Sequence, residues 1–470
     1  MLGRFLALVG AVGILACLVF YVDPAQAWLR GEQDLRGNWT YKPDYPVDGE
    51  VLGSIDMEAV HRDRIPAWIL DNAEKRGGPA FDRLMAEAGD DPNLAELLRV
   101  MEVEARAEPN TERLLWAVWA WNRYLDDAGL PWHMAGGLHR QADRQVFYLK
   151  TYEVISDGHA MVGARHFRER VVRRADNIGV IEAYLGLTPD AEEGSLVVAD
   201  RLASFGLREI WPLMDPAMDR KQASSRRVFA KAVRKAIDPW ITDEQREVLV
   251  LTASDRFYIE QAVARIHSRH SCGSRLVIRN VPFQGLPGED LRAIRRAVAT
   301  TGASDCPEAT NDEALVLSIR SDHLRGVDGL EVALEHLVGV AARAIAVHEI
   351  RHAADEADRP LACYDCPPDL SEVGVMELSA YLSSFADPEL GPLAALQACT
   401  LPIDDLPARG RAIAFLSESL GNLCRTGPTD DLSQRARTLE QKLFGRTSPI
   451  SLSENFPKRI GVATRRSRGD

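Results

Sequence analysis

Five residues, His348-Glu349-Ile350-Arg351-His352, set the strongest constraint on this chain. They fall near the end of a segment, Gly329 to about Ala357, in which Leu334, Leu337, Ala341 and Ile345 recur at helical spacing. Residues four apart on a helix lie one turn from each other on one face, so the two imidazoles can grip one ion. The apolar stripe runs on into His348 and His352, which turns both rings toward the interior. Two buried imidazoles without partners would be costly, and a metal ion is the partner this spacing suits. Glu349 then sits beside the ion, where its carboxylate can take a proton from a water the ion has acidified.

The surrounding pattern alternates. Glu247–Thr252, Arg275–Arg279 and Ala314–Arg320 read as short strands, and Asp255–His267 and Gly288–Val298 as helices before the long one. Upstream, Leu94, Leu97, Leu98 and Met101, and then Leu114, Leu115, Val118 and Trp121, fall at helical spacing. Trp116, Trp119 and Trp121 read as packing residues of those helices. Between Arg144 and Val172 the period drops to two: Val146, Tyr148, Lys150, Tyr152 and Val154 alternate, Asp157-Gly158 supplies a turn, and the chain returns. The fold class expected is α+β, a helical N-terminal region followed by a domain with a mixed sheet and a long helix that carries the site.

On these residues the long helix resembles the active-site helix of the zincin metallopeptidases. The likeness is specific over about ten residues and extends, through element order, from about 245 to 385; the first half of the chain takes no part. It implies Zn2+ with three protein ligands and one open position, and a peptide or protein substrate. It also implies that the strand before the helix, Ala314–Arg320, is a sheet edge pairing with extended peptide. In the gluzincin pattern the third ligand is Glu377, on the run Met376-Glu377-Leu378-Ser379-Ala380-Tyr381, with Glu372 as the second candidate. In the metzincin pattern it is Asp358, with Met376 recruited as a Met-turn; the chain departs from that pattern at Asp355, where glycine would ease a sharp turn. Asp355 reads either as a carboxylate orienting an imidazole or as solvated surface. Tyr381, and after it Tyr364, are candidates for the proton donor opposite the metal.

Arg4 followed by an apolar run over residues 5–22 and by Ala25-Gln26-Ala27 describes an export signal. The same run is just long enough for a retained membrane tether, and Ile14-Leu15-Ala16-Cys17 resembles a lipobox. Export favours disulfides among Cys272, Cys306, Cys363, Cys366, Cys399 and Cys424. The net charge of −13 argues against a nucleic-acid partner, and the basic stretches Arg168–Arg174 and Arg465–Arg468 read as solvated surface. The division expected is a signal or anchor over 1–27, a linker and helical region over 28–140, a small β-containing segment over 141–222, a zincin-like domain over 223–430 and a tail over 431–470. The function expected is an exported or membrane-tethered zinc metallopeptidase. A zinc-retaining scaffold of the cell envelope and a hydrolase of non-peptide bonds are the alternatives; a scaffold would have no need of Glu349.

Overall fold

The structure, a computed structural model, describes residues 55–73, 78–106, 111–141, 144–176, 185–188, 194–268, 307–400, 407–447 and 449–462. The expected export segment, the strand expected at Arg275–Arg279, the helix expected at Gly288–Val298, and Cys272 and Cys306 lie outside these residues. Among the described residues no helix is long and apolar enough to cross a membrane. The fold is α+β, with helices predominating. It divides into two units, Met1–Glu153 with Ala175–Gly179, and Val154–Arg174 with Val180–Asp470.

The first unit contains α1 Ile65–Ala73, α2 Pro79–Ala88, α3 Pro92–Arg106 and α4 Thr111–Asp127. Asp91 starts α3, its carboxylate accepting from the N–H groups of Asn93 at 2.9 Å and Leu94 at 3.1 Å. The stripe Leu94, Leu97, Leu98 and Met101 is buried, as are Leu114, Val118 and Trp121 of α4, whereas Leu115 is turned outward and 44% exposed. Strand β1 Trp132–Gln141 pairs antiparallel with the first part of β2 Arg144–Val162.

In the second unit β2 runs straight through Asp157-Gly158, where a turn was expected. It turns instead at Gly163, whose φ of 61° suits glycine, into β3 Arg165–Arg174. Asp157 serves the ladder by accepting from Arg168 of β3 at 2.9 Å. Strand β4 Gly186–Leu187 pairs antiparallel with β5 Ser195–Val198, which pairs in parallel with β3, so the sheet is mixed and β4 is its edge. Helices α5 Ala199–Phe205 and α6 Ala230–Ile237 follow.

Two expected strands are helices. Glu247–Thr252 lies inside α7 Asp243–Ser268, and Ala314–Arg320 lies inside α8 Pro307–Arg325. A six-residue apolar run fits either period, and the caps decide. Thr242 and Gln245 form a reciprocal capping box at the start of α7, with N–H to side-chain distances of 3.0 and 3.3 Å. On α8, Leu317, Ser321 and Leu324 are buried at helical spacing. Asp255 of α7 binds Arg320 and His323 of α8 at 2.6 Å each, pinning the pair.

The long helix is α9 Leu330–Ala357, close to its expected bounds and buried on nearly every face. It is followed by α10 Glu372–Phe385, α11 Gly391–Thr400, α12 Pro407–Ser419, α13 Leu432–Phe444 and β6 Ile450–Ser451. The expected tail is therefore structural. Leu443, Phe444, Phe456 and Ile460 join the core of this unit, and β6 pairs with the end of β2. Gly339 of α9 permits the crossing, since a Cβ there would lie 2.2 Å from the Lys458 carbonyl oxygen. Disulfides join Cys363 to Cys366 and Cys399 to Cys424. The second closes the longer loop and contributes about 3 kcal/mol in a chain-entropy account.

His61 gives the first unit a pH dependence. Its Nδ1 lies 2.8 Å from the Met57 carbonyl oxygen, and its Nε2 accepts from Trp121 Nε1 at 3.2 Å, which defines a neutral ring. Complete burial pushes its pKa down to about 4, against the weaker pull of the Met57 carbonyl. The unfolded chain takes up a proton near pH 6.5 that the folded one refuses until about pH 4, so stability falls as pH drops through that window. The stability advantage of wild type over His61→Gln should shrink by about 3 kcal/mol between pH 7 and pH 4, read from denaturant melts. A constant difference across that range would refute this.

Candidate metal centre

Helix α9 delivers His348, Glu349 and His352 from consecutive turns, and α10 delivers Glu377 and Tyr381 beside them. Ser371 starts α10, its side chain accepting from the Gly374 N–H at 3.3 Å. Buried Ala353 and Ala380 supply small side chains on these two helices near the site. His348 Nε2 and His352 Nε2 are 3.1 Å apart, and each lies 3.8 Å from a Glu377 carboxylate oxygen. Among the described residues these three form the group able to hold a metal ion, with ligand atoms all within 4.8 Å. A tetrahedral ion with ligand bonds near 2.0–2.1 Å needs donors about 3.3 Å apart, so the set fits with small side-chain adjustments.

Burial prepares the donors. It lowers the pKa of His348 well below the usual imidazole value, helped by His352 and Arg409, and that of His352 to about 4, helped by Arg409. Both rings are thus neutral near pH 7, the form that binds metal. Contact with Glu377 is then not an ion pair, and burial raises the Glu377 pKa while Arg409 opposes the shift. Among the described residues His348 Nδ1 has no hydrogen-bond partner. Its ring rests against Tyr381, with centroids 4.4 Å apart.

Glu349 is held from the sheet. Thr188, just after β4, donates from Oγ1 to the Glu349 carbonyl oxygen at 3.0 Å and lies 3.5 Å from its Oε2. Gly186 is needed because a Cβ there would fall 2.5 Å from Glu349 Cγ. Burial, and then Glu377, push the Glu349 pKa up to about 8, against Arg409 and Thr188. The surrounding cavity, about 300 Å³, is walled by Leu185–Thr188 on one side and by residues of α9, α10 and α12 on the others.

The remaining candidates go elsewhere. Asp358 receives both arms of Arg165, at 2.8 and 2.7 Å, and Glu372 is an exposed rim residue 3.5 Å from Arg359. Met376 lies within α10, in a helix and not a turn. Asp355 neither orients an imidazole nor faces solvent; it is fully buried and accepts from Arg446, which also donates to Ser379 at 3.0 Å. Tyr381 is buried beside His348, while Tyr364 is 75% exposed and packs against Gly445. Strand β4 occupies the edge position expected of Ala314–Arg320. Gly186, Thr188 and Arg409 were not anticipated, and nothing local marks them: β4 has two residues and no period, and Arg409 stands among other arginines.

No family model, curated protein or solved structure matches the chain. The reading of the site rests on its own geometry.

Two substitutions test that geometry. Glu377→Ala should lower divalent-metal affinity by more than about 100-fold, whereas Asp358→Ala should keep one ion per chain by elemental analysis; the reverse pattern would move the third ligand to Asp358. Gly186→Ala should leave metal content intact but displace Glu349, and an unmoved Glu349 side chain in a crystal structure of that variant would contradict the contact.

Proposed function

We propose that this chain is an exported or membrane-tethered zinc metallopeptidase. One observation carries the reading: two imidazoles held neutral by burial and a carboxylate converge on one point of a cavity, with a second carboxylate beside them. The donor set of two histidines and a glutamate suits zinc with one position left open. Zinc held there would act as a Lewis acid, polarising a carbonyl and acidifying water.

The other roles belong to this chain's own residues. Glu349 takes the proton of the attacking water and hands it to the leaving amine. Thr188 and Gly186 hold its carboxylate in place from the sheet. The edge of β4, unpaired among the described residues, offers main-chain N–H and C=O groups to an extended peptide, which favours peptides over other acyl substrates. Burial pushes the Tyr381 pKa up, so its phenol stays protonated as a hydrogen-bond donor toward the developing oxyanion. The two disulfides support an oxidising compartment, in keeping with the export segment.

The test is turnover of an unstructured peptide mixture followed by mass spectrometry, with metal content measured alongside. Glu349→Gln should retain zinc and lose about 10²- to 10⁴-fold in rate. Full activity in that variant would refute the assigned base, and a zinc-loaded wild type that cleaves no peptide would sink the peptidase reading.

A further inference from the structure

Two arginines line the cavity, and the protein treats them differently. Arg359 is neutralised on the rim by Glu356 at 2.9 Å and Glu372 at 3.5 Å. Arg409, near the start of α12, has no such carboxylate partner among the described residues, where its side-chain hydrogen bond is to Tyr381. Its Nε and Nη2 are out of water's reach and make no hydrogen bond among the described residues. A guanidinium with unmet donors in a low-dielectric site costs free energy unless an anion completes it. The two unmet donors include Nε and a terminal nitrogen, the kind of paired donors that grip a carboxylate bidentately.

Its position relative to the metal group is defined. The guanidinium carbon stands 5.6 Å from the Tyr381 ring centroid, and that ring is 4.4 Å from His348. The charge is close enough to depress both histidines and to oppose the rise at Glu349 and Glu377. An extended chain advances about 3.5 Å per residue. A carboxylate on Arg409 therefore belongs to a substrate whose scissile bond lies only one or two residues away.

We propose that Arg409 anchors the substrate's carboxylate, so that the cavity takes peptides ending in a free C-terminal carboxylate one or two residues beyond the scissile bond. The position of that bond rests on the hydrolase reading above; the anion site does not. The long arginine stem lets the fork turn into the cavity as the ligand enters. Arg409 acts here as a specificity determinant, and the proton transfers remain with Glu349.

The experiment is calorimetric binding of paired N-acetyl tripeptides, free acid against C-terminal amide, varied in the last residue. The protein is the full chain, zinc-loaded and carrying Glu349→Gln so that it binds without turnover. Arg409 is left intact or replaced by Lys or Met, with melting temperature and zinc content as folding controls. We expect the intact site to bind the acid at least tenfold more tightly than the amide, Arg409→Met to bring that ratio near one, and Arg409→Lys to restore part of it. A ratio near one with Arg409 present, or a ratio that survives Arg409→Met, overturns the proposal. So does an equal loss for acid and amide at an unchanged ratio, which would mark an oxyanion role. Cleavage assays on the parent chain separate the two readings. An acid preference without cleavage leaves the anchor standing and removes the peptidase, and cleavage without acid preference does the opposite.

Discussion

Burial of α9 on almost all of its faces is the constraint from which the site follows. A helix apolar around its circumference must lie inside the protein, and α9 carries His348, Glu349 and His352 into that interior with it. Desolvation then acts on all three at once. It strips the proton from both imidazoles, leaving them in the form able to bind a metal, and raises the proton affinity of the neighbouring carboxylate. One physical cause yields two neutral imidazoles and a carboxyl group of raised proton affinity.

Such a helix must also be held against its neighbours without slipping, and buried polar pairs do this behind the site. Arg351 donates to Ser383 of α10 at 2.8 Å, and Ser383 in turn donates to Glu440 of α13 at 3.1 Å. Asp355 meets Arg446, which reaches Ser379 on α10. Buried pairs of this kind add little net stability, but removing one partner leaves an expensive unpaired charge. They fix which turn of α10 faces α9, and therefore place Glu377 opposite the two histidines.

The sheet supplies what helices cannot. A strand edge presents main-chain donors and acceptors in a row, and β4 presents them at the wall where Glu349 stands. The segment that includes it also contacts Glu349 through Thr188, which donates to its carbonyl oxygen. The first unit contributes none of the site's residues; its described interior is a packed core around Trp68, Trp121 and Trp132.

Features governed by short-range periodicity were legible in the sequence. The long helix, the inward direction of His348 and His352, and the helical stripes of α3 and α4 all follow from spacing within a few residues. Tertiary structure decided the rest. Glu247–Thr252 and Ala314–Arg320 fit two periods equally; the cap of α7 and the pairing of α7 with α8 go with their being helices. Asp157-Gly158 has turn chemistry, yet pairing with Arg168 keeps it in a strand. Residues 432–462 enter the core through contacts with distant elements, and Gly186, Thr188 and Arg409 reach the site only because the chain is folded back upon α9. Local spacing sets which face of an element is apolar, but which distant backbone or charge meets that face depends on close packing, and no short window of sequence contains it.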